Sequence, residues 1–129
     1  MKANWEVFEG RQYRNETRKE LRVTVGGNGT FYLNKIAYAA LEMPEAVEML
    51  YDGDRRAIGM RACDPRKRNA FRLTPHGGKN YWRVAAASFC QHHNYKFDRT
   101  MHIDKADLTE DNVLDLPMDS MIAVSRGAR

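Results

Sequence analysis

The residues best suited to act on a partner are two groups of basic side chains, and their chemistry is charge neutralisation. Arg11, Arg14, Arg18, Lys19 and Arg22 recur at short spacing, interleaved with Gln12, Tyr13, Asn15 and Thr17. Arg66, Lys67 and Arg68 stand together near the middle of the chain. Cations at this density can neutralise phosphates, and each contact releases a condensed counterion, so such binding weakens with salt. Contacts of this kind fix position more than they read sequence. Charge runs are also commonly plain solvated surface, and spacing alone does not separate the two. A further set has the types that stack on unpaired bases: Tyr81 and Arg83 on one side of an alternating segment, with Arg72, Tyr95 and Arg99 nearby. Tyrosine and arginine also pair on ordinary sheet surfaces.

Other chemistries lack their residues. Cys90-Gln91-His92-His93, with His76 and His102 elsewhere, has no second pair at zinc-ligand spacing. Adjacent histidines on a helix diverge by roughly 100°, so one ion rarely takes both. No GxSxG, HExxH or GxxxxGK[ST] occurs. Gly26-Gly27-Asn28-Gly29 precedes a strand pattern and so lacks the helix N-terminus of a phosphate site. Asp52 and Asp54 flank Gly53 as turn formers. The expectation is a protein without catalysis, metal or cofactor.

The chain has 129 residues, enough for one domain, and 43% are hydrophobic, which supports an ordinary core and excludes global disorder. The amino-terminal residues lack the apolar core of a secretory signal, and no apolar run reaches the roughly 20 residues of a membrane helix. Cys63 and Cys90 belong to no CxxC pair and read as thiols of a reducing cytoplasm. Net charge is +4, divided into −3 from Asp104 onward and +7 before it. A basic body with an acidic tail suits a polyanion.

These side chains must be held by elements the pattern itself outlines. Residues 1–20 read as a basic arm ahead of a domain spanning 21–129, with halves 21–63 and 69–124 around the polar linker Asp64 to Asn69. Val23 to Val25 and Phe31 to Leu33 alternate about the glycine turn, with Val23, Val25, Phe31 and Leu33 facing inward. Asn34 is an N-cap for a helix of about ten residues, stopped by Pro44, with Ile36, Ala37, Ala40, Leu41 and Met43 as its apolar stripe. Val47 to Tyr51 and Ala57 to Ala62 form a second hairpin over an Asp-Gly turn. The second half repeats the theme: strands at Ala70 to Thr74 and Tyr81 to Val84, a helix over Ala85 to His93 with Asn94 as a left-handed stop, and strands at Phe97 to Ile103 and Met121 to Val124. For residues 104–120 a helix from Thr109 and a strand at Val113 to Leu116 both stay open. A unit of about 40 residues cannot bury both its faces, so each half needs a partner. The expected fold is α+β: two related β-hairpin, helix, β units packed as a pseudo-dimer, or a homodimer of the first.

Residues 23–62 resemble the AbrB/MazE-like swapped-hairpin regulators, through Val23, Val25, Gly29, Phe31, Leu33, Ile36, Leu41, Val47, Tyr51, Asp52, Gly53, Ile58 and Met60. The resemblance implies a dimer that exchanges hairpins and binds DNA with basic residues. Thr30 and Asn34 stand where that family shows an arginine and a proline. The whole chain also looks like small proteins of actinobacteria and their phages with segments like Leu33 to Ala37, Leu50 to Asp52 and Ile58 to Arg61, a likeness that brings no activity. The sequence thus predicts a cytoplasmic DNA-binding regulator of transcription, contacting DNA through Arg11, Arg14, Arg18, Lys19, Arg22, Arg66, Lys67 and Arg68. The alternative is a protein-interaction module, such as a phage or mobile-element product that inhibits or adapts a host protein, anchored by Trp5, Phe8, Tyr13 and Trp82.

Overall fold

The structure, a computed structural model, describes residues 20–78 and 80–124. Alternation of apolar and polar side chains makes strands the dominant regular structure among them. Ten strands form: β1 (Val23–Val25), β2 (Thr30–Asn34), β3 (Ala46–Asp52), β4 (Ala57–Cys63), β5 (Phe71–His76), β6 (Tyr81–Ala85), β7 (Met101–Ile103), β8 (Asp107–Leu108), β9 (Val113–Pro117) and β10 (Met121–Ala123). Two six-residue helices, α1 (Lys35–Ala40) and α2 (Ala87–His92), and a 3-10 turn at Met118–Ser120 complete the regular structure. The strands make one antiparallel sheet in the order β10-β7-β1-β2-β6-β5-β3-β4-β9-β8.

The expected α+β pseudo-dimer, with its AbrB-like swapped-hairpin first half, is therefore not the fold. The β1–β2 hairpin takes β7 and β6 as neighbours, and the β3–β4 hairpin takes β5 and β9. Strands of the two halves interleave, so neither half makes a unit that the other could cover. The unmet apolar faces are buried instead by curling the sheet around one core, with the short strands β10 and β8 at its two ends. Residues 101–108 and 113–123 run antiparallel as one long hairpin, broken where Asp104 N donates to Ser120 O (3.1 Å) and Lys105 N to Ser120 Oγ (3.1 Å). Its first limb meets β1 through β7, and its second meets β4 through β9. The two ends of the sheet are thus halves of one hairpin, and eight antiparallel staves close into a ring.

One core fills it. Val23, Val25, Phe31, Leu33, Val84, Val47, Ile58, Met60, Leu114, Leu116 and Ile103 come from seven of the eight staves, and Phe71 and Leu73 of β5 pack against them. An eight-stranded barrel has an interior just wide enough for side chains to fill. The helices face the core: Ala37 of α1 with its C-cap Leu41, and Cys90 of α2 with its N-cap Ala86, belong to it.

Local chemistry accounts for the short helices. Asn34 Oδ1 accepts from Ala37 N (2.9 Å) and from Arg22 N (3.1 Å), so one side chain starts α1 and ties it to the strand beside it. Glu42 and Met43 take positive φ of 67° and 52°, so the helix ends at Leu41, well before Pro44. Ile36 and Met43, read from spacing as part of the buried stripe, are 38% and 65% exposed. Asn94, at φ 63°, stops α2. Over residues 104–120 it is the strand that forms, because Leu114 and Leu116 bury at period two while Thr109 to Asn112 closes a turn.

Candidate nucleic-acid interface

Opposite the core, β1, β2, β6 and β5 present a continuous outer wall. Residues directly across antiparallel strands share a face, and the register strings Ile122, His102, Thr24, Tyr32, Arg83 and Thr74 into one row across six strands. Two residues along, Tyr81 lies opposite His76. Arg72, two before Thr74, and Arg22, two before Thr24, take the same side by alternation. Tyr32 and His76 meet with ring centroids 5.1 Å apart, tilted by 52°. Arg83 Nε donates to Thr74 Oγ1 at 3.3 Å, which ties the guanidinium to the neighbouring strand. Arg72, Thr74, His76, Tyr81 and Arg83 are exposed. None of these ten positions is a carboxylate, and Arg72 and Arg83 enter no ion pair among the described residues.

The other side of the barrel is electrostatically different. There Glu48, only 7% exposed, receives Arg61 on one oxygen (Nη2 at 2.7 Å, Nε at 2.8 Å) and Lys67 Nζ on the other (3.2 Å). Arg55 pairs with Asp115 at 2.8 Å, and Arg56 with Asp119 at 3.2 Å. Cations and anions there neutralise one another. The Arg61 and Lys67 hydrogen bonds hold the Glu48 carboxyl below its ordinary 4.5. A folded pKa depressed in this way stabilises the protein above the unfolded value and loses that stability as pH falls through the folded one. Glu48→Gln is therefore expected to lose about 1–2 kcal/mol at neutral pH, the lower range for charge-assisted bonds because Arg61 and Lys67 are half-exposed. Urea unfolding at a series of pH values checks it: the difference from the parent should shrink steadily below pH 4.5.

The basic residues singled out in the sequence divide accordingly. Arg11, Arg14, Arg18 and Lys19 lie outside the described residues, as do Trp5, Phe8 and Tyr13. Arg22 joins the outer wall. Arg66 is held in a two-pronged pair with Asp64 (3.2 and 3.0 Å), and Lys67 is engaged with Glu48. Those two would have to exchange an internal partner for a phosphate. Arg68 is exposed, in a loop beside the neutralised side. Trp82 stacks on Tyr38 at 4.0 Å and 9°, so this anchor of an interaction module is already occupied. Of the aromatic-basic set, Arg72, Tyr81 and Arg83 come together on the wall. Tyr95 instead turns to the barrel end, where its hydroxyl meets that of Tyr51 at 3.1 Å. Sequence reasoning missed Tyr32 and His76. The inward assignment of Phe31 and Leu33 already pointed Tyr32 outward, but nothing local placed β6 and β5 beside it.

Around Tyr51 the rings of His93 (4.0 Å) and Tyr95 (6.0 Å) close one end of the barrel, with Phe89 on His93 at 4.7 Å and the Arg56 guanidinium 5.9 Å from the Tyr95 ring. Burial, then the Tyr51 hydroxyl, pushes Tyr95 up to about 12, and burial with nearby His92 lowers His93. Both shifts favour the neutral forms, as burial in a packed aromatic cluster does. Burial also pushes Cys90 up to about 11 and raises Cys63, leaving both thiols protonated. Among the described residues no three His, Cys, Asp or Glu side chains converge as metal ligands, and no helix is long and apolar enough to cross a membrane.

Comparison with family models, with curated proteins and with solved structures finds no match to this chain.

Proposed function

We propose that this chain is a non-enzymatic nucleic-acid-binding protein, a small DNA-binding regulator acting in the cytoplasm, and that the outer wall of β1, β2, β6 and β5 is its binding surface. The observation that carries the reading is the contrast between two sides of one barrel. On one, Arg55, Arg56, Arg61 and Arg66 each have an acidic partner. On the other, Arg72 and Arg83 stand among tyrosine, histidine and threonine with no carboxylate on the wall. A patch of uncompensated positive charge is the electrostatic footprint of a polyanion site. Hydroxyls and imidazoles beside the arginines supply further phosphate contacts. In sequence, Arg11, Arg14, Arg18, Lys19 and Arg22 precede β1 within a short length of chain.

Fluorescence anisotropy of the full chain with labelled DNA tests the proposal. Affinity should fall steeply between low and physiological salt. Arg72→Ala with Arg83→Ala should weaken binding at low salt and flatten the slope of log affinity against log salt by about 0.7–0.9 per arginine. Arg66→Ala should change little, because its charge is already spent on Asp64. Absence of binding at low salt overturns the proposal.

A further inference from the structure

From the wall's width and its rings, we infer that the ligand of this face is single-stranded nucleic acid, held by base stacking on Tyr81, His76 and Tyr32 with Arg83 and Arg72 on its phosphates. The inference rests on the binding reading above and narrows it to one class of ligand.

Two observations lead there. First, the surface has the wrong shape for a duplex. A major groove about 12 Å wide admits a helix or a two-stranded ribbon. Here the four strands β1, β2, β6 and β5 lie side by side, and at about 4.8 Å per spacing they span some 14 Å before their neighbours are added. The helices offer no substitute, being six residues each and turned to the core through Ala37 and Cys90. Second, the wall carries three rings, Tyr32, His76 and Tyr81, of which His76 and Tyr81 are exposed. His76 has Tyr81 directly across on β6 and Tyr32 against its ring at 5.1 Å. Tyr81 is 38% exposed, unusually open for a residue of its size. In a duplex each base already has both faces covered by its neighbours, whereas the bases of a single strand are free to stack on protein rings. Arg83, anchored by Thr74 one strand away, lies beside the ring group at the distance of two strand residues, about 7 Å. The backbone of a strand stacked on the rings would pass over it. The charge is complementary, since Arg72 and Arg83 are exposed and enter no ion pair among the described residues.

Anisotropy titrations with labelled oligothymidine, oligouridine and a DNA duplex of equal length, all at low salt, decide the matter. The single strands should bind at least ten-fold tighter than the duplex. Tyr81→Ala should weaken single-strand binding about five- to a hundred-fold while leaving duplex binding unchanged, and Tyr81→Phe should retain it, because stacking needs the ring and not the hydroxyl. Circular dichroism of each variant shows that the fold persists. A preference between the thymidine and uridine strands separates DNA from RNA as the natural source of the strand. Equal binding of single strand and duplex, or loss in Arg83→Ala with none in Tyr81→Ala, overturns stacking and leaves the polyanion reading in place. No binding of any probe overturns both.

Discussion

Phe31→Ala is expected to cost about 3–5 kcal/mol, a third or more of the stability typical of a domain this size. Phe31 is fully buried among β1, β2 and β6, opposite Val25 and Val84 in the register, where a close-packed interior cannot collapse onto the space left behind. Urea denaturation should show a midpoint shifted downward at an unchanged slope, the sign of lost stability without a change in the surface exposed. Its neighbour supplies the control. Tyr32 points to the other side of the same strand and is half-buried, so Tyr32→Ala should cost about 1 kcal/mol and act instead on nucleic-acid binding. If Phe31→Ala and Tyr32→Ala destabilised equally, the inner and outer sides of β2 would be wrongly assigned, and the binding surface with them.

Gly29→Ala should be nearly as damaging, by about 3 kcal/mol, for two reasons that can be separated. Gly29 has φ of 80°, a conformation side chains resist, and a Cβ there would sit 2.8 Å from the Ala87 Cα, a backbone atom with nowhere to go. The turn is held to this point because Ala86 N donates to Gly29 O at 3.0 Å, joining the β1–β2 hairpin to the start of α2. Gly78 shares the first cost without the second: its φ is 68°, but nothing lies within 4 Å of an added Cβ. Gly78→Ala should therefore cost about 1 kcal/mol. The difference between the variants, read from thermal or urea unfolding, measures the close approach of hairpin to helix. Similar losses in both would mean that the contact at Ala87 is not made.

Both variants probe contacts between segments far apart in sequence, and these were the least legible part of the molecule. The alternation of Val23, Val25, Phe31 and Leu33, and of Ile58 and Met60, marks inward sides that the structure keeps. Asn34 as a cap and Asn94 as a stop were equally plain, because each acts on its own backbone neighbours. The helix lengths were overstated: Ala40, Leu41 and Met43 have helical spacing, but the left-handed backbone at Glu42 and Met43 is set by the approach to Pro44 and β3. The partners of the basic linker were hidden for a related reason. Arg66 and Lys67 look free in a list of residues, yet Asp64 lies two positions away from one and Glu48 is folded under the other.

What this sequence settled alone is the sidedness of its strands and the positions of its turns, since side-chain period and glycine or asparagine geometry act within a few residues. Which strands became neighbours was decided only in three dimensions. The apolar sides could have been covered by a repeated unit or by a second copy, and alternation is the same in either case. Closure by the 101–123 hairpin, which ties β1 to β4 through its two limbs, selected the ring instead. The pairing of β2 with β6 and of β6 with β5 put Tyr32, Tyr81, His76, Arg72 and Arg83 on one wall, because residues across antiparallel strands share a face.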